Sequence, residues 1–407
     1  MADLHARYES WREARERARL ERARGLAPGE DAERIDDEFG DVTSGDIAAR
    51  FEGRFATALA QAALARALRA IDARIEARAV AGADPAELDE LHSERIALRS
   101  ARLAQLGFAS ARAFAEAQRP GVDYAHWRAQ AQRLLAQSGP ALHDAERAPG
   151  AGSSFDAELP GQRMRAALDF ALEGLRLELG RLPSLRIDAE LRPEKRGLAQ
   201  SGAPRVPEEV WLVFAPLSGA RAHQAVFAAA GVALHSVFTS SSLPLERRVL
   251  GDPALALGFG ELLRGLMGEP SLGAALARVA PEHFDAVARL LRLAELRQIA
   301  ARVPIELELA ELPPGAAAPE LGEPGFLTSC GPALSSVDQL RAACLGASLA
   351  AALRARFGRE YWKSRGAGEL LKELWNTGTT YSPEELAREL SQPAPSADVL
   401  LEREHAR

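Results

Sequence analysis

The sequence predicts a mainly α protein with one small β-sheet of two or three strands. Three observations lead there. Long stretches place apolar residues at helical spacing. Ala, Leu, Arg and Glu, all strong helix formers, dominate the residue usage. Only the region 185–216 switches to strand-like patterning. A chain of 407 residues has room for two or three domains, or one large helical one, around a sizeable core.

Residues 3–24 read as an exposed helix. Glu9 with Arg12, Glu13 with Arg17, and Glu16 with Arg19 have i,i+3 or i,i+4 spacing, each pair worth roughly 0.3 kcal/mol. Residues 25–44 are rich in Gly, Asp, Glu and Pro and read as a linker. The first unit is therefore expected over 1–44. Helical pattern resumes over 46–79 and 86–105, broken at 81–85, where Asp84 and Pro85 make a cap and first-turn pair. Helices are expected again at 109–117, 123–146 and 161–180. The Gly/Ser-rich stretch 148–154 separates a helical lobe over 45–150 from a second lobe over 151–407.

Within that second lobe, Leu185–Leu191 alternates with period two and Val210–Ala215 is a continuous apolar run, so both read as strands. The Gly/Pro-rich stretch Arg192–Pro207 reads as the loop between them. Helices follow at 220–238, 252–268, 271–278, 281–311, 336–357 and 365–375, with another Pro/Gly loop at 313–332. No internal repeat of solenoid period is present.

Composition narrows the function classes. The net charge of −7 gives no electrostatic reason to expect a nucleic-acid partner. The two cysteines, Cys330 and Cys344, cannot form a disulfide framework and are expected as buried thiols. No window is long and apolar enough to span a membrane, and the first 24 residues lack the apolar stretch of a signal peptide. No membrane partner is expected, and the expected location is cytoplasmic.

The usual catalytic constellations are missing. There is no phosphate-binding Gly-x-x-x-x-Gly-Lys, no Gly-x-Ser-x-Gly elbow and no Cys-x-x-Cys. No two histidines are spaced i,i+4. His92 with Glu94, and His143 with Asp144, could each contribute to a metal site, but such pairs are ordinary surface residues when alone.

The segment 227–263 carries more information. It contains Ala-Gly-Val-Ala-Leu-His at 230–235, Phe-Thr-Ser at 238–240, Leu-Pro-Leu-Glu-Arg-Arg at 243–248, Leu-Gly-Asp at 250–252 and Gly-Phe with a Leu-rich helix at 258–268. Upstream lie Arg-Pro-Glu-Lys at 192–195 and Val-Pro-Glu-Glu-Val-Trp-Leu-Val-Phe-Ala-Pro at 206–216. Downstream lie Phe357–Trp375 and Tyr381–Ala387. In order and spacing these pieces resemble the thimet oligopeptidase and oligoendopeptidase F family of zinc metallopeptidases (gluzincins), in particular a bacterial branch. The resemblance covers about 185–390 well and 46–180 weakly.

That resemblance implies a two-lobed helical body with a central cleft, in which 220–238 is the zinc helix. Active members carry His-Glu-x-x-His there, two imidazoles on one helix face with the Glu as general base, and a Glu on a later helix as third ligand. Aligned on Gly231 and His235, these positions fall at Ala228, Ala229, Val232 and Leu257. Methyl and isobutyl groups offer no lone pair to a metal. The Tyr that would polarise a substrate carbonyl is also doubtful, because its region reads Leu334-Ser-Ser-Val337. His235 is expected as a structural neighbour of the site, and Asp252 as the cap of the next helix.

The resulting expectation is a catalytically inactive pseudopeptidase with no catalytic residue, no metal and no cofactor. It would bind a peptide or protein, for instance through a sheet edge, or serve as regulatory or scaffold subunit, with an active family member as one candidate partner. A hydrolase with a relocated, metal-independent site is the first alternative, with His235, His223, Glu246, Asp252, Tyr361 and Tyr381 as its candidate residues. An all-α interaction protein unrelated to peptidases, docking through its Arg/Glu-rich first helix, is the second.

Overall fold

A computed structural model describes residues 2–26, 53–147, 155–195, 197–316, 318, 327 and 334–405. The stretch 148–154, Cys330, and most of the expected loops at 25–44 and 313–332 lie outside the described residues.

The chain divides into two compact units. The first comprises residues 1–11, 30–129 and 299–337. It holds α2 (Gly53–Val80), α3 (Pro85–Gln105) and α4 (Ala111–Gln118). Asp84 caps α3 by accepting the Ala86 N–H at 2.8 Å, with Pro85 in the first turn as the sequence predicts. Ser110 caps α4 in the same way, through the Ala113 N–H at 3.1 Å. Leu68, Ile71 and Leu91 bury the contact between α2 and α3. Arg112 Nη1 reaches Glu311 at 2.7 Å, which ties α4 to the end of α11 (Pro281–Ala310).

The second unit comprises residues 12–29, 130–298 and 338–407. It contains α6 (Met164–Gly174), the sheet, α7 (Ala220–Phe238), the short α8 (Leu245–Arg248), α9 (Pro253–Met267) and α10 (Pro270–Ala277). It also holds most of α12 (Ser335–Phe357), then α13 (Arg365–Asn376), α14 (Pro383–Glu389) and α15 (Ala397–His405). Helices α1 (Ala2–Ala23), α5 (Tyr124–Arg147) and α11 supply residues to each unit. Phe214, Phe227, Phe259, Leu262, Leu345 and Trp375 lie in the main core.

The sheet has three strands in the order β1-β3-β2. β1 (Leu185–Asp188) runs parallel to β3 (Glu209–Phe214), and β2 (Ala199–Arg205) runs antiparallel to it. β3 is central and almost wholly buried, as its continuous apolar run requires. β1 stops three residues short of the alternating run that predicts it. Lys195 Nζ takes the Asp188 carbonyl oxygen at 3.0 Å, and Leu191 is exposed.

Two expectations need correction here. Arg192–Pro207 is not simply a loop, because Ala199–Arg205 forms the edge strand β2. Its Ala, Ser, Gly and Pro content hid it, since strand preference depends on the surface a residue packs against rather than on composition. Gly202 is used for closeness: a Cβ there would lie 2.6 Å from Leu20 Cδ2 of α1. Nor is α1 an exposed helix. Tyr8, Trp11, Ala18, Leu20 and Ala23 are buried on it. Its Arg12 guanidinium donates to the carbonyls of Ala203 and Pro204, at 3.0 and 2.6 Å. Arg17 pairs with Glu209 at 2.7 Å and Arg24 with Asp188 at 2.7 Å. The arginines that looked like a solvated face are spent on the sheet.

Candidate functional site

Helix α7 forms where the sequence predicts, over Ala220–Phe238, because Ala, Phe, Val and Leu recur on one face without a breaker. It packs closely on α9. Gly231 is buried, and a Cβ there would lie 2.4 Å from the Phe259 carbonyl oxygen. A Cβ on Gly260 would lie 2.8 Å from the Ala228 carbonyl oxygen and 3.0 Å from Val232 Cγ2. Two glycines therefore let the two backbones approach as no larger residues could. Helix α12 joins them by the same device, with Gly258 against Leu345 and Gly346 against Glu261.

Of the four positions singled out by resemblance, Ala229 is buried, Ala228 and Val232 are half-buried, and Leu257 is exposed. Ala225, Ala228 and Val232 share one half-exposed face of α7. The α9 residue that faces Ala228 and Val232 across the seam is Gly260, three positions after Leu257. None of these side chains carries a metal donor. Among the described residues no three His, Cys, Asp or Glu side chains come together as a metal would need. Ala228, Ala229, Val232 and Leu257 thus supply no ligand for a zinc ion, and no hydrolytic step is routed through one.

Of the remaining candidates, His235 and Glu246 reach the segment 376–384 directly, Asp252 reaches it through Arg341, and Tyr381 lies on it. His235 is buried, its Nε2 donates to the Gly378 carbonyl at 3.0 Å, and its ring stacks on Phe259 at 5.2 Å. Burial pushes this histidine below its ordinary range, against the opposing pull of the Gly378 carbonyl. His223 is likewise buried and lowered by burial, with Nδ1 2.9 Å from the Gly219 carbonyl oxygen. Asp252 caps α9 through the Ala254 N–H at 3.0 Å and pairs with Arg341 at 2.6 Å. Glu246 is half-buried on α8, where its backbone carbonyl receives the Thr379 hydroxyl at 3.4 Å. Tyr381 packs partly buried against the core. Tyr361 is fully buried in the turn Tyr361–Lys363. His92 is half-buried on α3, and His143 is exposed, 3.8 Å from Glu146.

Sequence reasoning missed the charged groups that hold this unit together. Arg341 is wholly buried and grips both Asp252 and Glu384, the latter at 2.8 and 3.0 Å. Glu261 and Glu295 share Arg264 and Arg292. Asp188 collects Lys195, Arg24 and Arg192. Lys195 was the one readable signal: it is one of three lysines in the chain, and its side chain is 1% exposed.

No family model and no curated protein matches the chain. Solved structures do. An M32 carboxypeptidase from Deinococcus radiodurans R1 superimposes with a TM-score of 0.60 at 13% identity, covering 99% of this chain and 98% of that one. The structure named BsuCP gives a TM-score of 0.68 at 12% identity, over 98% and 96%. The Pyrococcus furiosus carboxypeptidase gives 0.62 at 13%, over 93% and 87%. The chain shares the fold of these carboxypeptidases. Identities this low speak for the fold alone.

These matches refine one expectation and overturn another. The similar structures include carboxypeptidases, one of them named as M32, and a specific tie to thimet oligopeptidase or oligoendopeptidase F is not shown. The reading of the chain as a non-enzyme does not stand. The chain shares its fold with carboxypeptidases over nearly its whole length, and nothing in the described residues shows that a catalytic site has been lost. The all-α alternative gives way to the three-stranded sheet and to this fold.

Proposed function

We propose that this chain takes peptides as its ligands, at the seam between α7 and α9. One observation carries the reading: the fold of a carboxypeptidase is matched across 99% of the chain. The seam adds local support. Its α7 side offers Ala225, Ala228 and Val232, half-exposed and apolar, and its α9 side offers the exposed Leu257. Small apolar residues leave room for an extended chain and reward burial of its side chains by about 25 cal/mol per Å².

The sheet edge is a poorer receptor. On β2 the carbonyls of Ser201, Ala203 and Pro204 already accept from Arg19 and Arg12, and the Ala203 N–H donates to Glu16. Strand addition at that edge would have to displace α1.

The test is equilibrium binding of a fluorescent peptide panel, with free and amidated C-termini, to the full chain. Mass spectrometry of the same samples reads any bond cleavage. Binding of at least one peptide class supports the reading, and no binding by any peptide contradicts it.

A further inference from the structure

A second site lies in the first unit, well separated in sequence from α7 and α9. Residues of α3 and the end of α11 enclose a cavity of about 60 Å³. Ile96, Leu309, Ala310 and Leu334 give it apolar walls, and Arg99 enters from α3. That volume exceeds what one water needs and suits a small organic molecule.

The charge balance inside the cavity is unusual. Among the described residues, Arg99 has no hydrogen bond or ion pair. Its neighbours are committed elsewhere. Arg95 donates to Asp72 at 2.5 Å. The Glu306 carboxylate accepts the Ser336 N–H at 2.9 Å and the Ser336 hydroxyl at 2.7 Å, anchoring the start of α12. His92 is lowered by burial and by Arg95, so it stays neutral and adds no charge of its own. Burial, with Arg95 and Arg119 nearby and against the attraction of Glu306, brings the Arg99 guanidinium down to about 10, still cationic at neutral pH. Glu306 lines the same cavity and attracts Arg99 at longer range, but it makes no hydrogen bond to the guanidinium. A guanidinium held against apolar walls with its N–H donors unmatched is costly unless an anion within hydrogen-bond reach supplies the partner.

We propose that this cavity binds a short aliphatic carboxylate, its two oxygens on Arg99 and its alkyl end against Leu309, Ala310 and Leu334. The fork of the guanidinium matches a carboxylate in two parallel hydrogen bonds. The apolar walls select an alkyl tail over a fully hydrated inorganic anion.

Calorimetric titration of the full chain with propionate, propionamide and inorganic phosphate at constant ionic strength tests this. Propionate is expected to bind, and the uncharged isosteric amide is expected to bind at least about tenfold more weakly, the loss of one charge-assisted pair. Arg99→Met should abolish propionate binding while the far-ultraviolet circular dichroism stays unchanged. Ala310→Leu, which keeps the charge and fills the cavity, should abolish it as well, and decides the matter should R99M fail to fold. Equal binding of propionamide, tighter binding of phosphate, or propionate binding that survives both substitutions would overturn the proposal.

Discussion

The Arg341 guanidinium lies 2.6 Å from the Asp252 carboxylate, and both groups are buried. Asp252 starts α9, Arg341 sits on α12, and Glu384 closes the pair from α14. This one arginine therefore fixes three helices around the α7–α9 seam. Removing it leaves a buried carboxylate without its cation, at a cost of about 3–5 kcal/mol. Arg341→Met is expected to lower the urea midpoint by a corresponding amount. A change below about 1 kcal/mol would show that the charges are solvated, as surface pairs are.

Asp188 ties α1 to the sheet and gives the fold an acid limit. Burial alone would raise this carboxyl, but hydrogen bonds from Lys195, Arg24 and Arg192 hold it at about 2. A carboxyl depressed in the folded state contributes stability above its unfolded value of about 3.9, and that contribution is lost as pH falls toward 2. Unfolding free energy is expected to drop across this window. Asp188→Asn should be less stable at pH 7 and show a shallower drop. An unchanged slope in the variant would contradict the assignment.

His235 predicts a different pH window with a different sign of charge. Its folded value is lowered by burial, so between that value and about 6.5 the unfolded chain binds the proton and the folded chain does not. Stability is therefore expected to fall as pH drops below about 6.5, with no contribution above it. Nuclear magnetic resonance of the His235 ring should show a neutral imidazole at pH 6.5, with the proton on Nε2. A ring that titrates near 6.5 would contradict the buried hydrogen bond to Gly378.

Gly231 tests the closeness of the seam. A Cβ there meets the Phe259 carbonyl, a backbone atom that cannot swing aside. Gly231→Val is expected to destabilise by about 1–3 kcal/mol or more, as overpacked cores do. Ala228→Ser, on the half-exposed side of the same helix, should change stability by less than about 0.5 kcal/mol. Equal costs for the two would mean that the helices do not cross at Gly231.

How much of this was legible depended on the range of the interaction. Helix α7 was readable to the residue, because its pattern of Ala, Val, Leu and Phe is local. The central strand β3 was readable for the same reason. Strand β2 was not, since Ala-Gln-Ser-Gly-Ala-Pro-Arg becomes a strand only through its pairing with β3 and the cover of α1. The burial of α1 was hidden because its apolar residues lie thinly among charges whose partners are nearly 200 residues away. Of the site, the positions 228, 229, 232 and 257 could be named only through the family resemblance, and their exposure could not be named at all. The Arg99 cavity was invisible for a related reason: its walls come from residues 92–111, from 306–310, and from Leu327 and Leu334.

The central claim is that peptides bind at the α7–α9 seam, and a comparison of peptide affinity between the native chain and Val232→Asp tests it most directly. Val232 is half-exposed, so the variant should fold, as circular dichroism can verify. The account predicts that a peptide bound by the native chain loses about tenfold or more in affinity, because a carboxylate replaces apolar contact at the seam. Equal affinity in the two proteins would contradict the placement, and no binding to either would contradict the function.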